Sequence, residues 1–341
     1  MHEGKLTICI TTYNRYPYLV RLLNYLEEYG GDFKIVVLDS SVEKTDDPSF
    51  LKILKSDNVS WLKYDPSIVI TEKILNGLSE VDSEFSVLCA DDDFLIPNSL
   101  RKCINFLKNN QDYTSAHGIY CFHNAVTKNN KISWDILYAL SRSNSSDNSL
   151  KRFKNFFPKN YSSYPFYALH RTADLKNIWN TTYLHCKDWG WNEILPSCLS
   201  IIKGKSKKLK LFYASRQPND TIAFDEERLK SQYSEEKNKE AFLAIKTELD
   251  KNSPEGYEDL SEMIHDQFTL YRKLSDRKII KSNGRLSYYY NNPAFLFPRF
   301  LAFILKQLLR LRNKKDLEAL HRLLVSESLS SDIIVKSRKS Y

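Results

Sequence analysis

The chain has 341 residues, of which 42% are hydrophobic and 13% aromatic, and its formal net charge is +8. This composition can bury a sizeable core, so it excludes global disorder. The mild positive charge suits an anionic ligand or an anionic membrane surface, and the sequence carries no RNA-binding or helix-turn-helix signature, so we expect no nucleic acid partner.

The cysteines and the N-terminus indicate a cellular setting. Six cysteines form no CxxC pair and no metal-ligand spacing, which favours reduced thiols in the cytosol. The opening residues, MHEGKLTICI, do not resemble a signal peptide, and no window reaches the ~18 apolar residues of a membrane span. We therefore predict a cytoplasmic protein that is soluble or peripheral to a membrane.

Strands and helices alternate over the first 100 residues. This alternation is typical of a parallel sheet with helices on both faces. Apolar runs predict strands at 5–10, 33–41, 59–64 and 85–90. Helices are predicted at 17–29, 47–55 and 67–79.

The regular pattern weakens between residues 117 and 165, where the Ser/Asn-rich stretch 141–149 predicts a loop. From about residue 220 the composition changes to charged helix, so we place a domain boundary there. Between these regions we predict strands at 164–171 and 208–217, a short helix at 175–180 and a helix at 191–204.

Three polar clusters stand where three predicted strands end. They lie at residues 11–15, 39–41 and 91–93. In open α/β sheets, ligands bind outside the carboxyl ends of the strands. The convergence of three polar clusters at one edge of the sheet therefore predicts a site.

The third cluster, in CADDDFLIP, places three carboxylates side by side after a buried strand. Adjacent negative charges repel each other, and burial increases the repulsion. A divalent cation would relieve it, and oxygen ligands favour Mg²⁺ or Mn²⁺ whose other ligands are substrate phosphates. The alternative is a solvated acidic turn before the helix that begins at Pro97.

Several segments together resemble the family 2 nucleotide-sugar glycosyltransferases over residues 5 to about 220. LTICITTYNR is similar to the first strand and loop of that family, and VVLDSS is similar to the second strand. NGLSEVDSEFSVLCADDDFLIPNSL is similar to the region that ends in the DxD motif. The resemblance implies a GT-A fold, which is an α/β, Rossmann-like and mostly parallel sheet, followed here by a C-terminal helical region.

The resemblance also implies residues for the donor. Thr11 and Tyr13 would border the nucleotide base, Asp39 would contact the base or ribose, and Arg15 would lie near the phosphates or base. Residues 1–219 would form the catalytic domain, with a nucleotide-sugar half at about 1–100 and an acceptor half at about 101–219. Residues 220–341 would form the helical region.

The DxD register departs from the usual family pattern. Counting back from Pro97 puts Ala90 where the first aspartate of the family often lies, so that Asp92 takes the metal-binding place. A plain DxD pattern would select Asp91 and Asp93 instead. We expect Asp91 to face the ribose and metal, with Asp92 or Asp93 as the direct metal ligand.

The segment from Tyr167 to Lys205 resembles the acceptor side of the family. In that register Asp188 matches the catalytic base, and Lys187 replaces the more frequent glutamate. Glu193 is the reserve candidate for the base, and helix capping is the alternative role for Asp188.

For each of three further side chains, the sequence allows two interpretations. Arg216, after the last strand, would meet the diphosphate or form a surface ion pair. Trp189 and Trp191 would form a stacking surface for a sugar ring or pack in the core.

Residues 292–315 predict a basic amphipathic helix. Such a helix would lie on the anionic inner membrane, which suits a lipid-linked acceptor. Packing against the catalytic domain or against a second subunit in a homo-oligomer is the alternative.

The leading hypothesis is a metal-dependent, inverting glycosyltransferase. It would use a nucleotide-diphosphate sugar, with a UDP-sugar favoured, and extend a glycan or lipid-linked acceptor in bacterial surface polysaccharide synthesis. One alternative is a sugar nucleotidyltransferase, against which the first loop has no glycine. The other is an inactive homologue that acts as a binding or assembly partner.

Overall fold

The computed structural model describes residues 5–42, 45, 48–123, 134–137, 141–157, 164–186, 191–217, 235–252 and 314–329. The strands in these residues are β1 (Leu6–Thr12), β2 (Lys34–Asp39), β3 (Val59–Lys63), β4 (Phe85–Ala90), β5 (Phe94–Leu95), β6 (Tyr113–His123), β7 (Trp134–Leu137), β8 (Leu169–Arg171) and β9 (Lys205–Arg216). The helices are α1 (Tyr16–Tyr29), α2 (Pro48–Ile53), α3 (Ile70–Ser79), α4 (Pro97–Asn109), α5 (Ser149–Phe156), α6 (Thr172–His185), α7 (Ile194–Lys203), α8 (Glu235–Asn252) and α9 (Lys314–Leu329).

The nine described strands form one mixed sheet in the order β3-β2-β1-β4-β8-β6-β9-β5, and β7 pairs with β6. Strands β3, β2, β1 and β4 are parallel, which confirms the alternation predicted for the first 100 residues. Strand β8 is antiparallel to both β4 and β6, whereas β6 and β9 are parallel. The architecture is therefore α/β, as predicted.

Apolar side chains cover both faces of the parallel strands, because successive strand residues point to opposite faces. On β1, Ile8 and Ile10 belong to the hydrophobic cluster that contains α1 and α4. Cys9, between them, belongs to a second cluster, where Trp179 from α6 also packs. The near-continuous apolar runs of the sequence follow from this burial on both faces.

Two segments differ from the sequence predictions. Residues 164–171 are not one strand: Tyr164–Tyr167 form a 3₁₀ turn, and only Leu169–Arg171 are extended. Pro165 has no N–H to donate to a strand ladder, so this stretch cannot pair throughout its length. The short helix predicted at 175–180 is the middle of the longer helix α6.

The C-terminal helices share the core of the sheet. Ala244 and Ile245 from α8 and Leu320 from α9 are fully buried in the same cluster as α1 and α4. The boundary predicted near 220, and the helix predicted at 292–315 apart from its last two residues, lie outside the described residues. Within the described helices, none has the combined length and apolarity that would be needed to span a membrane.

At Gly118 the strands β6 and β9 approach each other closely. The register of this pair shifts between His117 and Ile119. A Cβ on Gly118 would stand 2.6 Å from the backbone oxygen of Leu211 and 2.5 Å from its Cδ1. We expect Gly118→Ala to lower the free energy of unfolding by about 1–3 kcal/mol, the usual cost of overpacking, in urea denaturation.

Gly31→Ala is the matched control for this substitution. Its added Cβ would meet only the backbone oxygen of Glu27, at 3.4 Å, which is an ordinary contact. We expect a change within about 0.5 kcal/mol for this variant. Equal stability of the two variants would contradict the close packing described at Gly118.

Candidate active site

The three polar clusters meet at one edge of the sheet. Thr12 at the end of β1 is paired with Asp39 at the end of β2, and Thr11 is paired with Ala90 at the end of β4. The residues that follow Ala90 therefore lie beside the end of β1. This is the convergence that the sequence predicted from parallel strands.

The three aspartates are buried, and each has partners of its own. Asp91 accepts a hydrogen bond from Thr12 Oγ1 at 2.8 Å and lies 3.2 Å from Arg15 Nη1. Asp92 lies 2.5 Å from Arg15 Nη2. Asp93 lies 2.8 Å from Arg216 Nε and accepts from the backbone N–H of Gln217 at 3.1 Å.

Burial raises the pKa of Asp91 and of Asp93, and the facing arginines oppose this effect only in part. Desolvation penalises a buried carboxylate, whereas a close opposite charge favours it. The chain's own arginines thus supply positive charge that the sequence alone had assigned to a bound cation.

Aromatic rings hold these arginines. The Arg15 guanidinium lies 4.7 Å from the Tyr18 ring centre, and Arg21 lies 5.1 Å from the same ring. Arg216 lies 4.2 Å from the Tyr167 ring centre. With a side chain only 17% exposed and a buried partner in Asp93, Arg216 forms an enclosed ion pair and not the surface pair considered from sequence.

The predicted base-binding residues lie at the β1 and β2 ends of the same edge. Tyr13 is 46% exposed, Thr11 is half-buried and Asp39 is fully buried. Burial acts to raise the pKa of Asp39, but hydrogen bonds from Ser41, Lys63 and Tyr16 together lower it below its ordinary value. Asp39 is therefore an anion stabilised by neighbouring donors.

Lys73, on α3, is a buried cation that the sequence analysis missed. Its Nζ donates to the backbone oxygen of Thr12 at 3.1 Å and to Ser40 Oγ at 2.8 Å. Burial lowers its pKa to about 8. The lysine ties the ends of β1 and β2 together. Lys73 lies three residues after Ile70 and four residues before Gly77, on the helix face that packs against the sheet. This spacing was the signal that could have identified it in the sequence.

A hydrogen-bonded chain connects the aspartates with the acceptor-side candidate Glu193. Arg216 Nη2 donates to Tyr167 Oη at 3.0 Å, and Tyr167 Oη donates to Glu193 Oε1 at 3.4 Å. Arg216 in turn pairs with Asp93. Sequence reasoning missed Tyr167, because its contact with Arg216 joins residues that are 49 positions apart in the chain.

The other acceptor-side predictions have different outcomes. Asp188, Lys187 and Trp189 lie outside the described residues. Trp191 is buried, with its ring at 5.8 Å from and nearly perpendicular to the Phe242 ring. Trp191 therefore packs in the core and does not form a sugar-stacking surface.

Asp92 is the aspartate best suited to hold a divalent metal. Its Oδ1 accepts no hydrogen bond from the described residues, whereas both carboxylate oxygens of Asp91 and of Asp93 have partners. No group of three His, Cys, Asp or Glu side chains in the described part of the chain forms a complete metal site. Mg²⁺ and similar ions need only one or two carboxylates when substrate phosphates complete the shell, so the residues fit such an ion.

Comparison with known proteins identifies the family. The family model of glycosyl transferase family 2 matches residues 7–179, about half of the chain. This range contains Arg15, Asp39 and the three aspartates Asp91 to Asp93, and it ends before Arg216. No curated protein sequence matches the chain.

Solved structures of TarS from S. aureus have a similar fold. The crystal structure of TarS 1–349 in complex with UDP-GlcNAc matches with a TM-score of 0.51 and 15% sequence identity, over 82% of this chain and 73% of that chain. A second crystal structure of TarS 1–349 matches with a TM-score of 0.49 and 15% identity, over 96% of this chain and 92% of that chain. At this identity the first match supports the fold alone, which is the GT-A arrangement of an α/β sheet. The family match over half of the chain identifies it as a member of glycosyl transferase family 2.

Proposed function

We propose that this glycosyltransferase is metal-dependent and inverting, and that it transfers a sugar from a nucleotide-diphosphate donor, with a UDP-sugar favoured. The observation that carries the proposal is the meeting of Arg15, Asp91, Asp92, Asp93 and Arg216 at one edge of the sheet. A diphosphate needs cations at the point where its leaving-group charge develops. This edge carries two arginines and a carboxylate, Asp92, that fits a metal.

The proposed roles follow from exposure and contacts. Tyr13, Thr11 and Asp39 belong to the base end of the cleft. Arg15, whose side chain is 34% exposed, is able to turn from Asp91 and Asp92 towards a bound diphosphate. Arg216 is more enclosed, so we assign it to a fixed position near the diphosphate.

Mn²⁺ or Mg²⁺, when bound, would neutralise the departing diphosphate. Asp92 would hold this ion directly, and Asp91 would join it once Arg15 has turned away. Asp93 has both oxygens engaged by Arg216 and Gln217, so its role is to hold Arg216 in place.

An inverting transfer also needs a carboxylate that takes the proton of the acceptor hydroxyl as its oxygen attacks the anomeric carbon. Asp188 is the proposed base and Glu193 is the reserve. The link from Glu193 through Tyr167 to Arg216 supports a position of Glu193 close to the donor phosphates.

The proposed acceptor is a glycan or lipid-linked chain in bacterial surface polysaccharide synthesis. We propose that the enzyme works on the cytoplasmic face of the membrane, with residues 292–315 as the segment for peripheral contact. Family membership favours glycosyl transfer over the nucleotidyltransferase alternative. A measurement of donor hydrolysis distinguishes an active enzyme, which hydrolyses the donor, from an inactive homologue, which does not.

Binding of UDP should depend on the metal. We expect UDP and Mn²⁺ together to raise the melting temperature by several degrees, and either alone to raise it much less. At a hundredfold excess over the dissociation constant, a ligand stabilises the folded state by about 2.7 kcal/mol. Differential scanning fluorimetry with UDP, CDP, GDP and Mn²⁺ measures this.

Asp92→Asn should abolish the joint effect of UDP and Mn²⁺ and slow Mn²⁺-dependent donor hydrolysis by at least a hundredfold, because it removes the proposed metal ligand. Asp82→Asn is the control, since Asp82 forms an exposed ion pair with Lys34. Hydrolysis that proceeds equally well in Asp92→Asn would refute the assignment of the metal to this aspartate.

The identity of the base can be tested with two substitutions. We expect Asp188→Asn to lower kcat by about 10²- to 10⁴-fold, which is the usual contribution of general base catalysis, while the KM for the donor changes little. Glu193→Gln should lower kcat about tenfold, through its contact with Tyr167. Steady-state kinetics of sugar transfer measure both effects, and a larger loss in Glu193→Gln would make Glu193 the base.

A further inference from the structure

Asp39 accepts four hydrogen bonds from the protein itself, and three of them go to Oδ2. Oδ1 accepts from the backbone N–H of Ser41 at 2.7 Å. Oδ2 accepts from Tyr16 Oη at 2.8 Å, from Lys63 Nζ at 3.0 Å and from Trp61 Nε1 at 3.1 Å. A carboxylate oxygen has about two lone pairs, so Oδ2 already has more donors than lone pairs.

Burial also separates Asp39 from a ligand. Its side chain is fully buried, and the three donors to Oδ2 stand around it. A nucleotide base could reach Oδ2 only by displacing Tyr16, Trp61 or Lys63. Such a displacement would leave a buried charge without its partner, which is costly.

Two of the donors to Asp39, Trp61 and Lys63, are partly exposed, whereas Tyr16 and Ser41 are buried. The Trp61 side chain is 39% exposed, and the Lys63 side chain is 42% exposed. Trp61 and Lys63 are two positions apart on β3, so their side chains point to the same face of the sheet. The Trp61 ring is supported by the edge of Phe50, at 5.6 Å between ring centres, and Lys63 Nζ lies 5.9 Å from the indole.

Lys63 is engaged in the same way as Asp39. Its Nζ donates to Asp39 Oδ2, to the backbone oxygen of Ser41 at 2.7 Å and to Tyr16 Oη at 3.3 Å. These three bonds use all three of its N–H groups. Lys63 therefore has no N–H left to donate to a base, whereas the Trp61 ring is partly exposed.

We propose that Asp39 is a positioning residue and that the donor base stacks on the exposed indole of Trp61. This inference rests on the proposed function, because it concerns the same nucleotide-diphosphate donor. The carboxylate fixes the indole through Nε1 and fixes Lys63 beside it. Recognition by stacking tolerates different bases, because every base has a π-face.

The two roles of Asp39 predict different base preferences. A carboxylate that accepts the N3–H of uracil directly would favour UDP over CDP, since cytosine has no hydrogen at N3. Asp39→Asn would then change the ratio of the UDP and CDP dissociation constants. A positioning residue would weaken both nucleotides by the same factor and leave the ratio unchanged.

Isothermal titration of the full chain with UDP and with CDP, in the presence of Mn²⁺, tests the proposal. We expect Trp61→Leu to weaken both nucleotides at least tenfold, the loss expected for one base–aromatic stack. Because Tyr16 and Lys63 still donate to Asp39 Oδ2, this variant should keep its melting temperature within a few degrees. Leu184→Ala, an exposed apolar truncation on α6, should bind both nucleotides like the wild type.

Asp39→Asn should lower the melting temperature and keep the UDP to CDP ratio within about threefold of the wild type. A ratio changed by more than tenfold, or unchanged affinity in Trp61→Leu, would overturn the proposal. If Asp39→Asn does not fold, Trp61→Leu alone decides the outcome. A wild-type chain that binds no nucleotide with Mn²⁺ would refute the proposed function itself, which is a distinct result.

Discussion

Pairing of buried carboxylates with the chain's own cations is the constraint on which the site depends. Asp91, Asp92 and Asp93 are adjacent and buried, so their mutual repulsion acts in a medium that screens it weakly. Arg15 bridges the first two, and Arg216 holds the third. Removing either arginine would leave a buried charge unpaired, which costs far more than the pair itself contributes.

These ion pairs are better understood as preparation for a ligand than as a source of stability. Burying two charges costs about as much as their attraction returns, and apolar residues of similar size often stabilise a fold more. In the proposed reaction, a diphosphate that enters the cleft would bring new negative charge and so compensate an arginine that leaves its carboxylate. Arg15 is partly exposed, whereas Arg216 is held by Asp93 and by the ring of Tyr167.

The sequence predicted the parts of the fold that rest on regular patterns. Apolar runs ending in polar clusters located β1, β2 and β4, and the carboxyl-end rule then brought Asp39 and Asp91 to one edge. It did not predict β6, because buried polar residues such as Ser115 and His117 interrupt the apolar alternation on which a strand prediction depends.

Contacts between distant segments were the part of the site that could not be predicted. No periodicity pairs Arg15 with Asp92, since the two residues meet only when β1 and β4 lie side by side. Lys73 and Tyr167 were missed for the same reason, because their partners are 61 and 49 residues away in the chain. Adjacent carboxylates are visible in a sequence, whereas the cations that neutralise them are not.

The same reasoning explains why one type of residue, at the end of a given strand, can serve different roles. An aspartate at the end of β2 is available to a ligand only if its lone pairs are free and its side chain is exposed. Here Trp61 and Lys63, on the neighbouring edge strand, together with Tyr16 supply more donors to Asp39 Oδ2 than this oxygen has lone pairs. In the proposed donor site, the residues on β3 would therefore decide whether this carboxylate contacts the base or positions the ring on which the base stacks.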